Sequence, residues 1–127
     1  MKDRTLKYNE EYIRITVEDL KREFQEQISN LKRHHDEALS KWKKDPGLSS
    51  ALEAAYHEEL EQLKISFNDK VRNIQEEVDS LIDTSSQRLK NQFTLLRSKL
   101  QELFRFINQS VVIFLIISLL RPEDFFE

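Results

Sequence analysis

The chain has 127 residues, with 20 Lys and Arg against 23 Asp and Glu for a formal net charge of −3, and it contains one Gly, two Pro and no Cys. A single Gly excludes the glycine-rich phosphate loops of nucleotide-binding proteins, which need several glycines. The absence of Cys excludes disulfides, thiolate zinc sites, iron–sulfur clusters and cysteine nucleophiles, and the acidic balance argues against a nucleic-acid partner.

Helix-forming residues dominate the chain, and residues that break helices are scarce. Asp45-Pro46-Gly47 is the only strong turn signal before Pro122. We therefore predict an all-α fold that begins with a lead-in over residues 1–9, a first helix over 10–45 and a turn over 46–48.

Apolar residues recur every three or four positions on both sides of this turn, which is the spacing of one helix face. A short connection favours antiparallel neighbours, so we predict a helical hairpin in which Phe24 meets Val71 and Ile28 meets Phe67. Ser50 and Glu53 have the spacing of a capping box for the second helix.

The apolar stripe that follows the turn keeps the same three- and four-residue spacing well beyond the length of the first helix. The favoured prediction is one long helix over 49–110, whose distal part overhangs the hairpin. The alternative is a break at 83–86, which would make a three-helix bundle. The overhanging stripe must be covered by a second copy, by another coiled-coil protein, or by its own hairpin in a third-helix position. The predicted partner-docking residues are Leu89, Phe93, Leu96, Leu100, Leu103 and Ile107.

Residues 111–120 form an apolar segment, followed by an acidic tail over 121–127. As a helix the segment is ~15 Å long, about half of the ~30 Å hydrocarbon core of a bilayer, so it could associate with a membrane or be buried in protein. The predicted membrane-associating residues are Val111, Val112, Ile113, Phe114, Leu115, Ile116, Ile117, Leu119 and Leu120.

A predicted basic flank precedes this segment and consists of Arg88, Lys90, Arg97, Lys99 and Arg105. Positive charge before an apolar segment predicts that the N-terminal part lies on the cytoplasmic side of a membrane. Basic residues next to a membrane segment also favour anionic lipid. The alternative location is a soluble intracellular protein whose apolar tail is covered by protein.

His35 and His57 fall close together in the predicted hairpin, with His35 opposite Glu59. Imidazole and carboxylate groups are zinc ligands, and His titrates near neutral pH. The commoner outcome is a His–Glu pair in the helix seam, and we expect no metal site there. A helical rod also offers no pocket that would hold a nucleophile, a base and oxyanion donors, so we expect no catalytic residue, cofactor or small-molecule substrate.

The sequence as a whole predicts a non-enzymatic coiled-coil scaffold or tether that docks a partner helix and is held at a membrane by residues 111–120. The predicted partner is another coiled-coil protein or a second copy of the chain in a homo-oligomer. The alternative is a structural subunit of a larger helical assembly, with the apolar tail buried in a protein interface.

Overall fold

The computed structural model describes residues 10–42 and 44–119, which form three α-helices and no strand. Helix α1 covers Glu10–Trp42, α2 covers Pro46–Thr84, and α3 covers Gln87–Leu119. Each helix packs against the other two. The predicted all-α class is confirmed, whereas the predicted lead-in over 1–9 and acidic tail over 121–127 lie outside the described residues.

The chain interrupts its helix at Ser85 and Ser86. Ser85 has an extended backbone, with φ −100° and ψ 162°. The Lys90 amide then donates to the Ser86 carbonyl at 2.9 Å in the first turn of α3. The structure therefore has the predicted alternative, a three-helix bundle with a break at 83–86, and not the favoured continuous helix over 49–110. Folding α3 back buries an apolar stripe that a continuous helix would leave in water.

The connection between α1 and α2 lies three residues earlier than predicted, because α1 ends at Trp42 and α2 begins at Pro46. Asp45 has an extended backbone and caps α2, because its side chain accepts a hydrogen bond from the Leu48 amide at 3.1 Å. Pro46 occupies the start of the helix, where its missing N–H and fixed φ are tolerated. The predicted turn over 46–48 is therefore wrong, since those residues already belong to α2.

The early start of α2 also changes the contacts between α1 and α2 close to the turn. The predicted capping box is not formed, because Ser50 lies inside α2 and Glu53 pairs with His35 at 3.2 Å. Phe24 meets Phe67, with ring centroids 5.3 Å apart, and the predicted partner Val71 is buried in the same core cluster.

Side-chain pairs show how α2 and α3 run relative to each other. Asn68 of α2 pairs with Asn108 of α3, and His57 pairs with Ser118, so α2 and α3 are antiparallel. Phe24 of α1 also contacts the Phe106 ring, with centroids 6.0 Å apart, and it joins all three helices in the core. The fully buried large side chains are Phe24, Leu60, Phe67, Val71, Val78, Leu96, Leu100, Ile107 and Val111.

A reciprocal amide pair crosses the α2–α3 interface. Asn68 and Asn108 each donate from Nδ2 to the other's Oδ1 at 3.3 Å. Asn68 is buried, at 9% exposed. A paired amide at an apolar interface favours one register, because a slip breaks both hydrogen bonds and costs the buried Asn68 its partner on α3.

Candidate membrane-associating site

The inner face of α3 forms the bundle core. Five of the six predicted partner-docking residues are at most 5% exposed, and only Leu89 reaches 36%. The sequence left open whether a partner or the chain's own hairpin covers this stripe, and in the structure α1 and α2 cover it. The five buried residues are Phe93, Leu96, Leu100, Leu103 and Ile107.

The exposed surface of α3 is mixed up to Gln109, where Leu95 and Phe104 stand among polar residues, and it is apolar after that point. Before that point, Ser98, Glu102, Arg105 and Gln109 are exposed. Beyond it, all the exposed side chains up to the last described residue are aliphatic, and they are 43–67% exposed. We call this surface the outer apolar face, and its residues are Val112, Ile113, Ile116, Ile117 and Leu119.

The other residues of the same segment face the bundle. Val111 is 1% exposed, and Phe114 and Leu115 pack partly buried against the core. Ser118 is also partly buried. The predicted membrane-associating residues therefore divide between the outer apolar face and the bundle interior, while Leu120 lies outside the described residues.

Helix α3 is long and apolar enough to cross a bilayer by length and composition. Its most apolar 18-residue window has a mean hydropathy of 1.6, and 17% of that window is buried. Core helices of water-soluble bundles can pass the same test. The exposure of the outer apolar face therefore carries more information than the hydropathy alone.

The predicted basic flank is spread along α3 and does not form a cluster beside the outer apolar face. Arg97 forms a salt bridge with Asp79 of α2 at 3.3 Å. Arg88 precedes Val112 by 24 residues, or ~36 Å along a helix. Arg105, two turns before Val112, is exposed and is the closest of the five in sequence. The remaining members, Lys90 and Lys99, lie in the N-terminal half of α3.

A polar cluster joins the three helices beneath the apolar segment. Glu53 bridges two imidazoles, with Oε1 3.2 Å from His35 Nε2 and Oε2 3.7 Å from His57 Nε2. His57 Nε2 is also 3.0 Å from Ser118 Oγ. Because the Ser118 hydroxyl donates to the Leu115 carbonyl at 2.7 Å, its oxygen accepts from His57. We call His35, Glu53, His57 and Ser118 the His–Glu cluster.

Tyr56 packs directly against this cluster. Its ring is stacked on the His35 ring, with centroids 4.0 Å apart. Its hydroxyl is buried and has no hydrogen-bond partner within the part of the chain that the structure describes. Burial, and then the nearby Asp36 and Glu53 carboxylates, raise the pKa of Tyr56 to about 12.

The predicted His–Glu pair is present, but with a different acid. The sequence placed Glu59 opposite His35, and the displaced register brings Glu53 there instead. Sequence reasoning missed Ser118, although its position seven residues after Val111 puts it on the inner face of α3. Among residues 10–42 and 44–119, no group of three or more metal-ligating side chains is arranged to hold an ion.

Comparison with known proteins gives no relative for this chain. No protein family, curated protein or solved structure matches it. The outer apolar face is therefore the feature on which the proposed function rests.

Proposed function

We propose that this protein is a non-enzymatic helical scaffold held at the cytoplasmic face of a membrane by the C-terminal part of α3. The observation that carries the proposal is the outer apolar face, on which Val112, Ile113, Ile116, Ile117 and Leu119 are all 43–67% exposed. Continuous apolar surface of this kind marks protein or membrane interaction sites. The positive charges that precede the segment favour the cytoplasmic side.

The strength of such an attachment follows from the buried area. Burying the exposed half of one Val, Ile or Leu side chain gains about 0.7–1.5 kcal/mol. Five such side chains supply about 4–7 kcal/mol, which corresponds to millimolar to micromolar binding. We therefore expect a reversible attachment, comparable to that of a single lipid chain.

The rest of the bundle is well suited to act as a spacer. Helix α2 has 39 residues and is therefore ~58 Å long. The outer apolar face lies near one end of the bundle, beside the start of α2, and the Ser85–Ser86 connection lies at the other. We propose that the distant end is available to a partner protein.

Vesicle flotation tests the membrane proposal. We expect the wild-type chain to float with phosphatidylcholine–phosphatidylserine vesicles and the variant Ile113→Ser/Ile116→Ser/Ile117→Ser to stay at the bottom. The matched control is Ile15→Ser/Leu95→Ser, because these two side chains are 45% and 56% exposed outside the segment. Circular dichroism checks that both variants keep their helices. Equal flotation of the outer-face variant and the wild type would contradict the proposal.

The alternative function is a structural subunit whose apolar surface is covered by protein, either another helical protein or a second copy of the chain. Leu95 and Phe104, at 56% and 44% exposed, favour it because they extend apolar exposure along α3 beyond the segment. Sedimentation equilibrium separates the two functions. A mass that rises with concentration in the wild type but not in the outer-face variant, together with no flotation, supports the structural subunit.

A further inference from the structure

We propose that the outer apolar face lies in the plane of a bilayer surface while the three-helix bundle stays closed, so that α3 does not cross the membrane. This inference rests on the proposed membrane attachment and specifies its geometry. The surface that the face fits is the boundary between lipid headgroups and acyl chains, where amphipathic helices bind.

A membrane-crossing α3 would take core side chains out of the bundle. An 18-residue span that ends at Leu119 begins at Glu102. It contains Leu103, Ile107 and Val111, which are at most 3% exposed because they fill the core against α1 and α2. A helix cannot present these side chains to lipid on all sides and to the bundle at the same time.

The polar residues of the same stretch would lose hydrogen bonds if α3 crossed the membrane. Asn108 lies near the middle of that span and would lose the reciprocal hydrogen bonds to Asn68 at 3.3 Å. Arg105, in the first turn of that span, would have to extend its side chain back to the headgroups. Ser118 would lose the hydrogen bond from His57. The in-plane geometry preserves all of these contacts, because they lie on the inner and lateral sides of α3.

The flanking helices limit how deeply the closed bundle can enter a bilayer. Phe114 shares a surface groove with Lys32, Arg33, Asp36 and Glu37 of α1. The part of α2 that follows His57 lies beside residues 111–119 of α3, and it carries Glu58, Glu61 and Lys64. Charged side chains are tolerated at the level of the headgroups but not in the hydrocarbon, so the closed bundle can submerge only the outer apolar face.

The size and chemistry of the face favour lipid over a second copy of the chain. From Val112 to Leu119 it runs only ~11 Å along the helix, and five half-exposed aliphatic side chains offer a few hundred Å² at most, at about 60–120 Å² per fully exposed side chain. A stable protein interface buries about 800 Å² on each partner. Among the described residues, which end at Leu119, the face has no aromatic or Arg side chain, and these are the residue types enriched in protein interfaces.

A chemical lock on the bundle tests the inference. The chain contains no Cys, so Asn68→Cys/Asn108→Cys introduces one pair of thiols at two side chains that touch. A bis-methanethiosulfonate with a one-carbon spacer, which is short enough for two neighbouring thiols, then joins α2 to α3 near the middle of the 102–119 span. We expect the locked and unlinked proteins to float equally, and Ile116→Ser to weaken vesicle partitioning about tenfold in both.

The lock separates the two levels of the proposal. Flotation of the unlinked protein but not of the locked protein would overturn the in-plane geometry and leave the membrane attachment standing. If the wild type, the unlinked double-cysteine protein and the locked protein all fail to float, the membrane attachment itself is overturned.

Depth measurement supplies a second test that does not depend on the lock. Single cysteines at Ile113, Ile116 and Leu119 carry a nitrobenzoxadiazole fluorophore, with Ser98→Cys as the exposed control outside the face. Dithionite, which does not cross bilayers, is added outside preformed phosphatidylcholine–phosphatidylserine vesicles. In-plane binding predicts that the three labels on the face are all reduced by the external dithionite. If the label at residue 119 is protected from dithionite while the label at residue 98 is reduced, α3 crosses the membrane and the inference is overturned.

Discussion

At the scale of single residues, Tyr56 is the least well satisfied side chain of the described core. Its ring contributes apolar burial and a stack on His35, but its hydroxyl is buried without a hydrogen-bond partner among residues 10–42 and 44–119. A polar group left unpaired in this way costs about 1–3 kcal/mol. The raised pKa of Tyr56 has the same origin, since burial opposes the phenolate even more than the phenol.

Replacement of this hydroxyl gives a direct prediction. We expect Tyr56→Phe to raise the free energy of unfolding near neutral pH by about 1 kcal/mol, because the ring stays and the unpaired group is removed. Urea denaturation measures the change. Tyr12→Phe is the control, since Tyr12 is 45% exposed. A loss of more than about 1 kcal/mol in Tyr56→Phe would show that the hydroxyl is bonded.

The same variant has a defined pH dependence. The pKa of Tyr56 rises from 10.0 to about 12 on folding, so above pH 10.0 the unfolded chain releases the Tyr56 proton first. The stability that Tyr56 contributes as a neutral phenol is therefore complete below pH 10.0 and is lost as pH rises through about 12. We expect the advantage of Tyr56→Phe over wild type to be larger in urea titrations above pH 10.0 than at neutral pH.

The sequence identified the core residues better than it identified their partners. The spacing of Ile13, Val17, Leu20, Phe24 and Ile28 marks one helix face, and all five are buried. Contacts between helices depend on register, and register depends on where each turn begins. A shift of three residues at Pro46 was enough to move the partner of His35 from Glu59 to Glu53.

At the scale of helices, the decisive feature is the break between α2 and α3. Thr84, Ser85 and Ser86 contain neither Gly nor Pro, so local propensity does not determine whether the helix continues there. The apolar stripe keeps its phase across the break, which is why the sequence favoured a continuous helix. Burial of the stripe against α1 and α2 is a tertiary effect, and it outweighs the local preference.

Proline substitution tests this break. We expect Gln87→Pro to change the free energy of unfolding by less than about 1 kcal/mol, because residue 87 begins α3 and its N–H needs no partner within the helix. In a continuous helix the same proline would cost about 3 kcal/mol or more. Ser98→Pro, in the exposed middle of α3, is the control and should cost that amount in urea denaturation. Equal losses in both variants would contradict the break.

At the scale of the whole molecule, residues 111–119 belong to the bundle as well as to the proposed membrane surface. Val111 is fully buried, and Ser118 connects α3 to His57. The composition of the segment gave its apolar character but not this division, because Val, Ile and Leu are equally apolar on both faces. Only the position of α1 and α2 determines which side chains remain exposed.

Truncation should therefore affect stability as well as attachment. We expect a chain that ends at Ser110 to lose about 2–4 kcal/mol of unfolding free energy, because it lacks Val111 and the packing of Phe114 and Leu115. The outer-face variant at Ile113, Ile116 and Ile117 should stay within about 1 kcal/mol of wild type, since surface substitutions have small effects. Thermal and urea denaturation compare the two, and an unchanged truncated chain would contradict the packing of the segment in the bundle.

The amide pair at Asn108 has a consequence for covalent modification. Asn108-Gln109-Ser110 matches the acceptor pattern for N-linked glycans, and Nδ2 is the atom that would carry the sugar. In the bundle that nitrogen donates to Asn68 Oδ1 at 3.3 Å and to the Phe104 carbonyl at 2.7 Å, within a helix. A glycan on Asn108 is therefore incompatible with the closed bundle, and a glycosylated chain would be one that was modified before it folded.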